Sequence, residues 1–203
     1  ITKATVAIED DTFYTNNGVS LRSIARAVLV NLRSGSYSQG GSTITQQIVK
    51  NSLLTTDKAL SRKLKEIFLA LKINKELTKD QILEIYLNEA PYGGSTYGVS
   101  EASMSFFGKK PVDLTIAESA YLAAIPQAPT RYSPYGSHVD LLEARKNVVL
   151  DRMAKLGFIT EEERGAAKTE VVKFVAQDKI GIKAPHFVFY IKDYLEEKYG
   201  VGA

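Results

Sequence analysis

Three times along the chain a threonine is followed three residues later by a glutamate or glutamine at the head of an apolar run: Thr78 with Gln81, Thr115 with Glu118, and Thr160 with Glu163. In a capping box of this kind each side chain satisfies the other residue's backbone N–H, so the pattern marks a helix start. The spacing predicts a helix from Thr78 through Leu87, and the segment 140 to 156 reads as a helix closed by Gly157. Helical periodicity also joins Leu21, Ile24, Ala25, Val28 and Leu32 behind Ser20. It predicts a further helix near Ser42 to Asn51, and a stripe of Leu60, Leu64, Ile67 and Leu71 from Asp57 onward. That makes roughly eight helices, with few strand signals outside a short run at Val171 to Ala176. The prolines at 126, 129 and 134 force an irregular connection.

With 203 residues and 44% hydrophobic content, the chain has material for a sizeable core. A formal charge of +3 from 26 basic and 23 acidic residues gives no bulk attraction to nucleic acid, so no nucleic-acid partner is expected. No cysteine is present, which excludes disulfides and thiolate metal sites. No apolar run reaches the roughly 18 residues of a membrane span. The start at Ile1 reads as that of an excised or processed fragment, so a missing anchor carries no meaning for location. The segment after about Asp178 changes character, and the expected division is 1–178 for one domain and 179–203 for a linker or the start of another module.

Three stretches could carry chemistry. Glu9-Asp10-Asp11 follows the apolar run Ala4 to Ile8, where a partly shielded carboxylate can serve as general acid or base, although the local sequence alone favours solvated acids at a helix end. Gly40-Gly41-Ser42-Thr43-Ile44-Thr45-Gln46-Gln47 leads glycines into a helix start, an arrangement that serves as an anion site or as a plain N-cap. Lys50, Asn51, Arg62 and Lys63 follow it, with Glu66 one turn beyond Arg62 as either an ion-pair partner or a second acidic group beside a phosphate. Tyr86-Leu87-Asn88 then runs into a loop with Gly93 and Tyr97, offering flat faces and donors suited to sugar rings. His138 and His186 lack metal-ligand spacing, and no Ser-x-x-Lys is present to support acyl transfer.

In this order the stretches resemble the five motifs of glycosyltransferase family 51, found in class A penicillin-binding proteins and monofunctional peptidoglycan polymerases. The first is matched by Glu9-Asp10 with Phe13 and Gly18, the second by Gly40 to Gln47 with Lys50 and Asn51. Arg62 to Glu66 match the third, Glu84 to Asn88 with Gly93, Tyr97 and Gly98 the fourth, and Ala120 to Pro129 with Tyr132 and Pro134 the fifth. One position departs: Asn16 stands where the family usually has a histidine, so the residue there can hydrogen-bond but carries no charge.

The resemblance implies a mostly α, lysozyme-like, two-lobed fold, a large head with a small membrane-associated jaw at roughly residues 28–60. It implies a transferase that polymerises lipid II into β-1,4-linked glycan with release of undecaprenyl diphosphate. Glu9 is then the base, and Glu66 a second catalytic carboxylate that orients Arg62 or holds a divalent cation, Mg²⁺ or Mn²⁺; no organic cofactor is implied. Asp10, Phe13, Ser42, Thr43, Gln46, Gln47, Lys50, Asn51, Arg62, Lys63, Tyr86, Asn88, Gly93 and Tyr97 are the implied substrate-binding set. Implied partners are lipid II, the growing glycan-undecaprenyl diphosphate, the membrane surface and a fused transpeptidase domain. The implied location is the extracytoplasmic face of the bacterial cytoplasmic membrane, with an N-terminal anchor helix outside this fragment. Two other readings keep the same helices: a lytic, lysozyme-type enzyme that cleaves glycan, and a non-catalytic module that binds glycan or lipid.

Overall fold

The structure is a computed structural model, and it describes residues 1–20, 41–52, 59–176, 190, 191, 194 and 198. The expected helix after Ser20, the loop 34 to 40 and most of the expected jaw lie outside the described residues. The chain divides into two compact units, Ile1–Lys173 and Phe174–Ala203. In the first the elements run α1 (Thr2–Glu9), α2 (Ile44–Ser52), α3 (Ala59–Glu76), α4 (Lys79–Glu89), β1 (Pro91–Gly93), β2 (Thr96–Tyr97), α5 (Val99–Phe107), α6 (Ile116–Ala124), α7 (Val139–Lys155) and α8 (Glu161–Thr169). The architecture is mostly helical, with eight α-helices among the described residues, none long and apolar enough to cross a membrane.

All three expected capping boxes form, at the starts of α4, α6 and α8, with both reciprocal bonds present in each. A box that sequence reading passed over opens α2. There Thr43 N–H donates to Gln46 Oε1 at 3.1 Å and Gln46 N–H donates to Thr43 Oγ1 at 3.2 Å. Gly157, with φ of 71°, follows α7 as expected.

The core is centred on α6, where Ala117 through Ala124 are all buried. Its alanines let α7 approach closely, and the small residues Ala4 and Ala7 bring α1 against both helices. α2 packs between α3 and α4. Lys146, on α7, is fully buried; its ammonium pairs with Glu143, which also accepts from the Tyr121 hydroxyl, and lies 5.1 Å from the Tyr121 ring centroid.

One expectation is corrected. Val171 to Ala176 forms no strand, and the small sheet lies in the glycine-tyrosine loop, where β1 and β2 pair antiparallel through Gly93 and Gly94 at positive φ. Of the apolar stripe on α3, Leu64 is 62% and Leu71 44% exposed, whereas Glu66 and Ala70 are buried. The polar partners that α2 offers Glu66, and the small side chain at Ala70 where Gly18 presses on the helix, set this orientation.

Candidate active site

Glu9 ends α1, in the last turn, where the helix dipole presents its negative end to the carboxylate. Gln47 Nε2 donates to its Oε2 at 2.8 Å, while its Oε1 is buried with no hydrogen-bond partner among the described residues. The Tyr86 hydroxyl lies 3.5 Å from Gln47 Oε1, on the same small network. Burial pushes the Glu9 carboxyl above the ordinary carboxylate range. The Gln47 bond and the charge of Arg145 pull the other way, and neighbouring Asp10 adds to the rise. The field is mutual: Tyr86 and Tyr92, both buried, have hydroxyls pushed up first by burial and then by the charge on Glu9.

Asp10 does different work. Its Oδ2 accepts from the backbone N–H of Ile44 at 3.2 Å, at the start of α2, and Asn16 Nδ2 donates to Oδ1 and Oδ2 at 3.1 and 3.0 Å. Thr12 adds its N–H and hydroxyl to Oδ1. Asn16 therefore keeps a donor on Asp10 although it cannot charge.

A second cluster lies on the other side of α2. Gln46 Nε2 donates to Glu66 Oε1 at 3.1 Å; Lys63 Nζ also meets that oxygen and donates to Ser42 Oγ at 2.9 Å. Because Gln46 and Gln47 are adjacent on one helix, α2 carries one glutamine to each carboxylate. The Lys63 side chain remains 40% exposed, leaving its charge accessible to an anion.

At the helix start, offered by the sequence as an anion site or a plain N-cap, three of the N–H groups serve capping. Thr43, Ile44 and Gln46 donate their backbone N–H groups to Gln46, Asp10 and Thr43 side chains, so these donors already serve the protein. At Glu66, Oε1 already takes Lys63 and Gln46, and no group of three metal-ligating acidic or histidine side chains occurs among the described residues, so the expected cation would rest on Glu66 without a second acidic ligand there.

Other expected contact residues are spread more widely. Phe13 has no exposed surface and packs in the core with Lys79 over its ring, so its side chain supports the site from below and does not line it. Thr43 and Gln46 are likewise buried and act through the capping box and Glu66. Lys50 and Asn51 are exposed at the end of α2, and Arg62 is half-buried on α3. Asn88 faces outward, into a groove of about 440 Å³ with Tyr14, Asp80 and Glu84, on the opposite side of α4 from Tyr86. Tyr97 is 62% exposed on the hairpin, and Gly93 turns it.

Sequence reading missed Arg145 and Lys79. Arg145 acts on Glu9 from α7, and its Nε is buried without a hydrogen-bond partner among the described residues; nothing in its local sequence distinguishes it from its neighbours. Lys79 did carry a signal, a cation in the first turn of a helix where acidic residues are favoured.

Penicillin-binding protein 1A of Escherichia coli (strain K12) is 42% identical over 202 residues, 99% of this chain and 24% of its own length. Penicillin-binding protein 1A of Aquifex aeolicus (strain VF5) is 40% identical over 200 residues, 98% of this chain and 27% of its own. Penicillin-binding protein 1F of Bacillus subtilis (strain 168) is 41% identical over 168 residues, 83% of this chain and 23% of its own. The chain thus spans about a quarter of the length of these curated relatives. The family model described as "Transglycosylase" matches residues 1–154, a span that holds both carboxylate clusters and the α2 helix joining them, and the chain belongs to that family.

Proposed function

We propose that this chain is the glycan-polymerising part of a larger cell-wall enzyme, using lipid II as acceptor and a growing glycan on undecaprenyl diphosphate as donor. The observation that carries the reading is the pairing of a buried carboxylate having one unpartnered oxygen, Glu9, with an accessible cation and hydroxyl, Lys63 and Ser42, on two sides of one helix. A glycosyl transfer driven by diphosphate departure needs those two functions. A base takes the acceptor proton, and a cationic site receives the leaving group.

The acceptor 4-hydroxyl oxygen bonds to the donor's anomeric carbon as its proton passes to Glu9. The anomeric carbon–oxygen bond breaks on the opposite face, and its electron pair leaves with the diphosphate, giving inversion to a β-1,4 link. Glu9 then returns its proton to solvent. The raised proton affinity of Glu9 makes its ionised form a stronger base than an exposed glutamate. Lys63 and Ser42, with Lys50 and Arg62 nearby in sequence, would neutralise the departing charge. Glu66 holds Lys63 in place, and no step is assigned to a metal ion at Glu66. The substrate's lipid tail places the work at a membrane face, on the extracytoplasmic side, and the relatives' greater length leaves room for an anchor and a fused transpeptidase domain.

The test is polymerisation of lipid II by the wild type and Glu9→Gln, beside incubation with purified sacculi. Polymer from the wild type and a fall of about 10²- to 10⁴-fold in the variant are expected for a lost base. Near-normal polymerisation by Glu9→Gln would remove Glu9 from that role, and soluble muropeptides without polymer would replace the transferase reading with a lytic one.

A further inference from the structure

Lys79 is placed against its local electrostatics. It opens α4, where a cation meets the positive end of the helix dipole. Its ammonium turns back instead and donates to the Asn16 carbonyl at 2.7 Å and to Asn74 Oδ1 at 2.6 Å, with Asn16 Oδ1 at 3.4 Å. Its stem brings the charge within 4.8 Å of the Phe13 ring centroid. All three ammonium hydrogens thus have acceptors.

Two of those acceptors belong to Asn16: the backbone carbonyl ties the residue to Lys79, and Oδ1 bears on which way its amide points. Lys79 and the Gly18 N–H, at 2.8 Å, both call for oxygen on one side, which leaves the NH₂ group facing Asp10 and the Thr12 hydroxyl. Asp10 in turn holds the first N–H of α2, and one turn along that helix Gln47 reaches Glu9. The contacts close a ring, since Glu9 and Asp10 are consecutive residues. A shift of Asn16 would free Asp10, let the start of α2 move, and lengthen the bond from Gln47 to Glu9.

We infer that Lys79 is a positioning residue: by locking the Asn16 amide onto Asp10 it holds α2, and so Gln47, against Glu9. The inference rests on the reading of Glu9 as base. The charged and titratable groups that face Glu9 are Asp10, Gln47's partner Tyr86, Tyr92 and Arg145; Lys79 acts electrostatically on Asp10 alone among them, so Asn16→Ala, which keeps that charge, separates loss of position from loss of charge. The bond from Gln47 favours ionised Glu9, so loosening it raises the proton affinity of Glu9 and moves the acid limb of the rate profile to higher pH.

The experiment uses the full-length protein and lipid II, with Lys79→Met, which keeps the stem over Phe13, Lys79→Arg and Asn16→Ala. For Lys79→Met, kcat is expected to fall about tenfold, the effect of about one hydrogen bond at 1.4 kcal/mol. KM should stay within about twofold and the acid limb of kcat should move up, with Lys79→Arg restoring both. Asn16→Ala should give the same limb shift, and the double variant no further loss, because both act through one contact. An unmoved limb in folded Lys79→Met, or fully additive losses in the double variant, overturns the role of Lys79. If Lys79→Met does not fold, an unmoved limb in Asn16→Ala overturns it instead. Near-normal turnover in Glu9→Gln overturns the base assignment and this inference with it, whereas failure in the lysine series alone leaves the base assignment standing.

Discussion

Replacing Gly18 by alanine should unlock the site's foundation, and the structure sets the size of the effect. Gly18 has φ of +89°, which an alanine adopts only at a cost of about 1–2 kcal/mol. A Cβ there would sit 2.5 Å from the carbonyl oxygen of Ala70 and 3.0 Å from Asn74 Cβ. That carbonyl belongs to the middle of α3 and cannot yield alone, so the loop must retreat by roughly half an ångström or more, an overpacking cost of about 1–3 kcal/mol. Retreat also strains the 2.6 Å bond from Thr43 Oγ1 to the Gly18 carbonyl, worth about 1 kcal/mol. The total is about 4 kcal/mol, or a fall of about 10 °C in Tm for a domain of this size. Thermal unfolding followed by far-ultraviolet circular dichroism reads it. Gly94→Ala is the control: its φ is +57° but a Cβ there meets nothing within 4 Å, so it should lose only about 3 °C. Equal losses in the two variants, or a loss under about 2 °C for Gly18→Ala, would refute the close-approach argument.

Because burial raises the proton affinity of Glu9 above its unfolded value, the stability this group supplies is complete below the unfolded carboxylate range and is lost as pH rises through the folded value. Glu9→Gln should therefore melt above the wild type at about pH 8 and match it near about pH 4, and a wild type more stable than the variant at pH 8 would contradict the burial argument. Arg145→Met should move the acid limb of kcat to higher pH, since the arginine favours ionised Glu9; a limb that stays put or moves down excludes electrostatic contact between them. At Glu143, burial alone would raise the proton affinity, but the bonds from Lys146 and Tyr121 outweigh it and hold the carboxyl below its usual range. The wild type should accordingly exceed Lys146→Met in Tm at neutral pH. That advantage should shrink as pH falls through the Glu143 range, and a constant gap would show that Lys146 acts by packing alone.

Helix starts are written locally, which is why Thr78, Thr115 and Thr160 were readable one by one: a capping box needs only residues three apart. The order of the motifs likewise named the family and picked out both Glu9 and Glu66, because those residues sit in stretches whose types and spacing are legible without coordinates. What the residues left open was decided by long-range interactions. On α3, Glu66 turns inward because Gln46, twenty residues away, offers it a donor. The glycine-rich start of α2 could serve as an anion site or as a plain N-cap, and Asp10, thirty-four residues earlier, takes one of its N–H groups.

The sequence by itself determined a mostly helical chain, the starts of most of its helices, and the family through the types and order of its motif residues, since each depends on neighbours within a turn or two. Only the tertiary structure decided which motif residues share a site. It placed Gln47 on Glu9 and Gln46 on Glu66, withdrew Phe13 into the core, and brought Arg145 and Lys79 to the acidic pair from α7 and α4. Burial, hydrogen-bond partners and close backbone contacts are properties of residues distant in the chain, and they exist only once the helices have packed.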